Sequence, residues 1–240
     1  MTKESERRLI EQQVVNFRQE AELGYTDALN IKSLLLKLKV VSVFRPLSDE
    51  FCGMSLKDSS ARRFMLINSN QPIGRQHFTI AHELYHLFVE ENSKPHRCTS
   101  GNSSKNPVER QADLFASMLL IPAEGILRLL PKNEVQRGDV SLASVLMMEH
   151  YYAVSRQALL NRLGDLGFIN KHSKEQLSKI PARQSARDYG YDTALYFSGN
   201  ENLIIGDFGE KARTLFDAGK ISEGHYLELL NKLNYHAHEQ

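Results

Sequence analysis

The segment FTIAHELYHLF, residues 78–88, places two histidines and a glutamate inside an otherwise apolar stretch. Apolar residues flank these polar ones, as expected for a helix that is buried in a protein core. On an α-helix His82 and His86 lie on one face, one turn apart, because they are four residues apart. A buried polar group without a partner costs about 1–3 kcal/mol. Any fold that buries this helix must therefore supply partners for both imidazoles.

A bound metal ion is one such partner. Two imidazoles on one helical face can both reach a zinc ion, which binds histidine nitrogen readily. Glu83 lies one residue round the helix and is placed to touch a water molecule bound to that ion. This HExxH arrangement provides two ligands and a general base. The alternative is an ordinary helix whose histidines are satisfied by neighbours or exposed to solvent.

An acidic pair further along the chain could complete such a site. Glu109 and Asp113 lie on one face of a second periodic helix, ERQADLFASMLLIP, which Pro122 ends. A catalytic zinc takes three protein ligands and keeps one position open, so Glu109 is the candidate third ligand. Asp113 can accept the other N–H of a ligand histidine and fix its ring. The competing interpretation is a solvated acidic pair, because acids are favoured near a helix N-terminus.

Together the two segments resemble the ImmA/IrrE family of zinc metallopeptidases. The family pattern is roughly R-x-x-F-T-x-A-H-E-x-x-H, followed by E-x-x-A-[DN]-x-F-A-x-x-L-[LM]-x-P. The resemblance covers about residues 25–170, and Glu-x-x-x-Asp after HExxH is the spacing of gluzincin peptidases. The matching residues are Arg75, Phe78, Thr79, Ala81, His82, Glu83, His86, Glu109, Ala112, Asp113, Phe115, Ala116, Leu119, Leu120 and Pro122.

The resemblance implies a zinc metalloendopeptidase of the cell interior. Family members cleave helix-turn-helix transcriptional repressors and thereby release stress or mobile-element genes, so the implied partner is such a repressor. The implied ligands are His82, His86 and Glu109, with Glu83 as the catalytic base and Asp113 behind a ligand histidine. Zn²⁺ is the expected cofactor and Mn²⁺ is the alternative, since availability helps decide which ion occupies a site.

The remaining sequence predicts an α+β fold, with a mainly helical, zincin-like metallopeptidase domain. Short segments rich in β-branched and aromatic residues at 40–45, 51–57 and 62–68 predict a small, mostly antiparallel three-stranded sheet. The polar stretch 91–107 predicts a long loop, either a lid or a plain connection. Helices are predicted at 4–22, 31–38, 74–90, 109–121, 123–131, 141–150, 154–166, 209–218 and 222–233.

The C-terminal third predicts a small α/β extension. Residues 171–192 have the pattern of a linker or a ragged helix, and ALYFSG and NLIIGDF each predict a short strand. We predict a metallopeptidase domain with N-terminal helices at 1–135, a helical HTH-like segment packed on it at 136–172, and the C-terminal extension at 173–240.

Two other functions compete with the peptidase hypothesis. The HTH-like segment could contact DNA through Arg156 and Arg162, although it carries few basic residues for that purpose. Direct DNA binding is therefore the weaker hypothesis. A catalytically silent zinc-binding scaffold would instead act through residues 173–240. In that case Glu83→Gln would leave its function intact.

Composition narrows the class of protein further. The formal net charge is +1, so no broad electrostatic field attracts nucleic acid or anionic lipid. Cys52 and Cys98 form no CxxC motif, and we expect two reduced thiols. No apolar run approaches the roughly 18 residues of a membrane span. We therefore expect a cytoplasmic protein without membrane contact.

An amide hydrolase also needs a donor for the oxyanion of its transition state. Five aromatic side chains are candidates, and each is more simply explained by packing. They are His77, His96, His150, Tyr151 and Tyr152.

Overall fold

The computed structural model describes residues 2–58, 60, 62–91, 96–99 and 106–233. The α-helices of this part are α1 (Lys3–Glu20), α2 (Ile31–Lys37), α3 (Ile73–Phe88), α4 (Pro107–Leu120), α5 (Ala123–Leu129), α6 (Lys132–Arg137), α7 (Leu142–Tyr152), α8 (Arg156–Asp165), α9 (Lys171–Lys179), α10 (Ala182–Asp188), α11 (Phe208–Asp217) and α12 (Glu223–Leu233). The strands are β1 (Val40–Arg45), β2 (Phe51–Lys57), β3 (Arg63–Asn68), β4 (His96–Thr99) and β5 (Ile204–Ile205). Among these helices none has the length and apolar character needed to cross a membrane.

The strands form one mixed sheet in the order β4-β2-β3-β1-β5. The three strands of the predicted mostly antiparallel sheet are present, but the sheet has five strands and two of the predicted three, β1 and β3, pair in parallel. β1 and β3 run parallel, from Val40 opposite Arg63 to Arg45 opposite Asn68, and the other pairs are antiparallel. Sequence periodicity locates a strand without giving its neighbour, so it did not show that β3 lies between β1 and β2.

The two outer strands differ in how far the sequence predicted them: β4 comes from a segment with little β signal, whereas β5 lies within NLIIGDF, where a short strand was predicted. β4 lies inside the predicted polar loop 91–107 and pairs with β2 at one edge of the sheet. β5 has two residues and pairs with β1 at the other edge. An edge strand is held mainly by backbone hydrogen bonds to one neighbour, so it needs no apolar alternation.

Helix α3 packs across the sheet, and α4 packs against α3. The apolar residues of α3, including Ile80, Leu84 and Leu87, are buried against this core. Helix α1 covers α4, with the Phe17 ring edge-on to Phe115 at a centroid distance of 5.6 Å. This packing of the sheet, α3, α4 and α1 holds α3 and α4 side by side, so polar residues on their facing surfaces are brought together.

The C-terminal third differs from the predicted pattern in two places. Residues 171–192 contain two helices, α9 and α10, with Pro181 as the N-cap of the second. ALYFSG forms a 3₁₀ turn at Ala194–Tyr196, so the predicted strand there was wrong. The Asp192 carboxylate accepts a hydrogen bond from the Ala194 N–H at 3.0 Å, which favours a helical turn over an extended chain.

Candidate metal centre

Helix α3 carries three polar side chains of the predicted site into the protein interior. His82, Glu83 and His86 have exposed fractions of 2%, 0% and 1%. Their helix is anchored by the apolar residues on its remaining surface, which are buried in the core. The two imidazoles lie one turn apart on the surface that faces α4, as the four-residue spacing predicted.

Helix α4 supplies a carboxylate to the same place. Asn106 caps α4 by accepting a hydrogen bond from the Val108 N–H, and Glu109 follows in the first turn. One Glu109 carboxylate oxygen lies 3.3 Å from His82 Nε2, and the other lies 3.6 Å from His86 Nε2. The two Nε2 atoms are 3.2 Å apart. The three predicted ligands are therefore close together and buried.

These separations fit a single metal ion. A tetrahedral ion with bonds of about 2.0–2.1 Å separates its ligand atoms by about 3.3–3.4 Å. The distances among His82, His86 and Glu109 run from 3.2 to 3.6 Å. Two imidazole nitrogens and a carboxylate are also the donors found in catalytic zinc sites. This group could hold a metal ion.

The other nitrogen of each imidazole is held by an acid. His82 Nδ1 and Asp113 Oδ1 are 2.8 Å apart, as predicted. His86 Nδ1 and Glu90 Oε2 are 2.7 Å apart, a contact that sequence reasoning missed. Glu90 lies just beyond the end of α3, but its four-residue spacing from His86 was a usable signal. Both rings are thereby fixed with Nε2 directed at the cluster.

Glu83 lies between the cluster and the sheet. Its Oε2 accepts a hydrogen bond from Ser55 Oγ at 2.6 Å, while Oε1 has no hydrogen-bond partner among the described residues. Burial raises the pKa of Glu83 to about 7. Ser55 is on β2 and was missed, although a serine at a buried, core-facing position of a strand is itself a signal.

When no ion is bound, the pKa values of the two histidines shift in opposite directions. Burial alone would lower the pKa of His82, but hydrogen bonds with Asp113 and Glu109 outweigh it and raise the pKa to about 10. Burial lowers the pKa of His86. One protonated and one neutral imidazole therefore face each other at the 3.2 Å Nε2 contact. A proton here supplies part of the positive charge that a metal ion would bring.

Two thiols lie beside Glu83. Cys98 on β4 is half-buried and Cys52 on β2 is buried, and neither forms a disulfide. A hydrogen bond between the two thiols, burial, and the negative charge of Glu83 raise the pKa of Cys98. The Cys98 sulfur, a His82 ring nitrogen and a Glu83 oxygen all lie within 4.8 Å of one another. No role for these cysteines was predictable from the sequence, because nothing in it indicates β4.

The candidate oxyanion donors have other contacts. His77 Nδ1 is 2.8 Å from the Ala153 carbonyl oxygen, and the His150 ring stacks on Tyr191. Tyr152 is in the core, and Tyr151 packs edge-on against it at the surface. These four make no hydrogen bond to the cluster within the part of the chain described. The His96 side chain lies outside the described residues.

The comparison with protein families identifies the chain's relatives. A model of the IrrE N-terminal-like domain, Peptidase_M78, matches residues 37–164, which is more than half of the chain and includes both motifs. A search of curated proteins found no match. This family suggests a zinc metallopeptidase, and it confirms the ImmA/IrrE resemblance of the two motifs. The chain therefore belongs to the IrrE N-terminal-like family of peptidases.

Proposed function

We propose that the protein is a zinc-dependent metalloendopeptidase. The observation that carries this proposal is the buried group of His82, His86 and Glu109, whose ligand atoms are 3.2–3.6 Å apart. These three residues would hold the ion. A bound Zn²⁺ supplies Lewis acidity, which polarises a peptide carbonyl and acidifies water. Mn²⁺ is the alternative ion for this donor set.

Glu83 is the proposed general base. It takes a proton from the attacking water and returns it to the amine that leaves. The hydrogen bond from Ser55 orients one carboxylate oxygen, so the other is available to water. Burial moves the pKa of Glu83 toward neutrality, which suits a group that must both accept and donate a proton.

Asp113 and Glu90 position the two imidazoles. A carboxylate that accepts the outer N–H of a ligand histidine fixes its tautomer and increases its basicity. Asp113 does this for His82 and Glu90 does it for His86. Neither acid touches substrate in this mechanism, so their effect is on the affinity for the ion and on the orientation of the rings.

The proposed substrate is a cytoplasmic protein, namely a helix-turn-helix transcriptional repressor. Support for this substrate comes from the family alone. The DNA-binding hypothesis relies on contacts from Arg156 and Arg162. These side chains have exposed fractions of 7% and 3%, so they are not available to DNA. Arg162 donates to the Ile121 carbonyl oxygen at 3.0 Å, and Arg156 pairs with Glu149. Both guanidinium groups are therefore buried in the protein interior.

The first test is the zinc content of the purified protein. We expect about one zinc per chain in the wild type, and much less in Glu109→Ala, which lacks the third ligand. Glu124→Ala is the matched control, because Glu124 also lies in the first turn of a helix but is exposed and outside the cluster. Zinc absent from the wild type after reconstitution would refute the proposal.

The second test separates a peptidase from a silent scaffold. Glu83→Gln keeps the three ligands, so it should bind zinc normally while losing cleavage of a helix-turn-helix repressor. A scaffold would bind its partner equally well in both forms and cleave it in neither. Cleavage by Glu83→Gln at the wild-type rate would exclude Glu83 as the base.

A further inference from the structure

The position of Cys98 is set by the way β4 joins the sheet. β4 is an edge strand, with Cys98 opposite Gly53 of β2. The register shifts between Phe51 and Gly53, so Cys52 is the extra residue of a β-bulge next to Cys98. The two thiols are hydrogen-bonded to each other. The bulge thus places both cysteines of the chain side by side, next to the metal centre.

Cys98 lies on the side of the centre where Glu83 lies. Its sulfur forms a group with a Glu83 carboxylate oxygen and a His82 ring nitrogen, all within 4.8 Å of one another, and this group shares only His82 with the group of His82, His86 and Glu109. In an HExxH site the glutamate faces the coordination position that the protein leaves open, since that is where the water binds. The thiol is therefore on the side of the centre that three-residue ligation leaves open, and it must move toward the ion to bind it.

We propose that Cys98 is a fourth metal ligand that keeps the enzyme latent. In this resting state its sulfur occupies the open coordination position, and the peptidase becomes active only when the thiol leaves. The inference rests on the metal site of the proposed function. On ligation the S–H bond breaks, a sulfur–metal bond forms, and the proton passes to solvent, as for other thiol ligands of Zn²⁺.

The surroundings of Cys98 suit both states. β4 pairs with the sheet on one side only, through β2. A small movement of Cys98 toward the ion therefore disturbs the backbone hydrogen bonds of one strand pair only. Cys52 provides the contact to which the thiol returns when it leaves. Among the described residues Cys98 belongs to a group that could hold an ion, whereas Cys52 belongs to none. Cys52 is thus a natural control for the proposal.

Cobalt substitution tests this ligand directly. Full-length protein, kept reduced and loaded with Co²⁺ in place of Zn²⁺, should show a near-ultraviolet thiolate-to-cobalt charge-transfer band. Wild type and Cys52→Ser should both show the band, and Cys98→Ser should lose it while still binding one Co²⁺. Cys98→Ala provides a second variant without the thiol. Both Cys98 variants should also have a higher basal rate of peptide cleavage than the wild type.

The possible outcomes separate this inference from the proposed function. Bound cobalt without the band in wild type, or a band that persists in Cys98→Ser, would overturn the assignment of Cys98 and leave the metallopeptidase intact. Failure of wild type to bind either Co²⁺ or Zn²⁺ would overturn both. A band that disappears only with Cys98, together with a raised basal rate, would establish the latent state.

Discussion

Two buried polar clusters differ in how their charges are balanced. In the HTH-like segment the buried Glu149 carboxylate pairs with the Arg156 guanidinium and accepts a hydrogen bond from Tyr196 Oη at 2.6 Å. Arg156 also donates to Ser185 Oγ at 3.0 Å and to the Ile180 carbonyl oxygen at 3.3 Å. One acid meets one base, and the remaining donors and acceptors come from the C-cap of α9, from α10 and from the 3₁₀ turn.

The metal centre has a different charge balance. Four carboxylates lie around two imidazoles, and one imidazole is neutral in the absence of an ion. The excess of acid suits an added divalent cation, whereas the Glu149 cluster already contains its own cation. The ratio of acids to bases thus distinguishes a cluster that joins helices from one that is suited to hold an ion. The acids of the metal centre are Glu83, Glu90, Glu109 and Asp113.

The largest expected effect is on catalysis. Glu83→Gln should lower the cleavage rate by about 10²–10⁴-fold, because general base catalysis contributes that much. The zinc content should stay at the wild-type value, because Glu83 is not one of the three ligands. Steady-state cleavage rates and metal analysis of the same sample measure both. A rate within about threefold of wild type would show that Glu83 is not the base.

The next effect is on stability and belongs to the Glu149 cluster. Arg156→Ala leaves a buried carboxylate without its charged partner, so the free energy of unfolding should fall by about 3–5 kcal/mol. Urea denaturation measures this, and zinc per folded chain should not change. Arg128→Ala is the control, because Arg128 is exposed and its Nη1 donates to Thr26 Oγ1 at the surface. A loss below about 1 kcal/mol for Arg156→Ala would mean that the cluster is not a structural ion pair.

Smaller effects are expected from the acids behind the histidines. Asp113→Ala should weaken zinc binding by about 10–100-fold, the usual consequence of losing such a partner. Glu90→Ala should have an effect of the same size, since its distance to His86 is 2.7 Å and that of Asp113 to His82 is 2.8 Å. Competition with a fluorescent chelator gives both affinities. Unchanged affinity in both variants would contradict the positioning role.

The smallest effect is a pH dependence of metal binding. The pKa of His82 is raised to about 10 in the metal-free protein, so this imidazole is protonated at neutral pH and must lose its proton to bind an ion. Zinc affinity should therefore rise with pH, by up to about tenfold per unit, with about one proton released per ion. Calorimetry in buffers of different ionisation enthalpy counts that proton. Arg156→Ala is the control. The difference between its free energy of unfolding and that of the wild type should be the same with and without zinc.

The elements with strong periodicity were predictable from the sequence. Helices α3 and α4 and strands β1 to β3 lie where apolar spacing placed them. His82, His86, Glu109 and Asp113 come together because each pair lies at a helical spacing on one of two adjacent helices. A metal site built on two helices is thus largely encoded by local spacing.

Contacts that cross the sheet were not predictable in the same way. Ser55 reaches Glu83 because β2 passes beside α3, and no local pattern encodes that proximity. Cys98 was missed because its strand, HRCT, lacks apolar alternation and exists through pairing with β2. The parallel β1–β3 pair depends on the order of strands, which periodicity does not contain.

The pairing of β1 with β5 has a consequence for the timing of synthesis. Val43 of β1 lies opposite Ile204 of β5. Because β5 is synthesised much later than β1, the outer edge of β1 has no neighbouring strand until then. At about 5–20 residues per second the ribosome needs roughly 10–30 s to deliver β5. All three proposed ligands emerge in the first half of the chain. The nascent protein can therefore complete its metal centre while one edge of its sheet is still open to other strands.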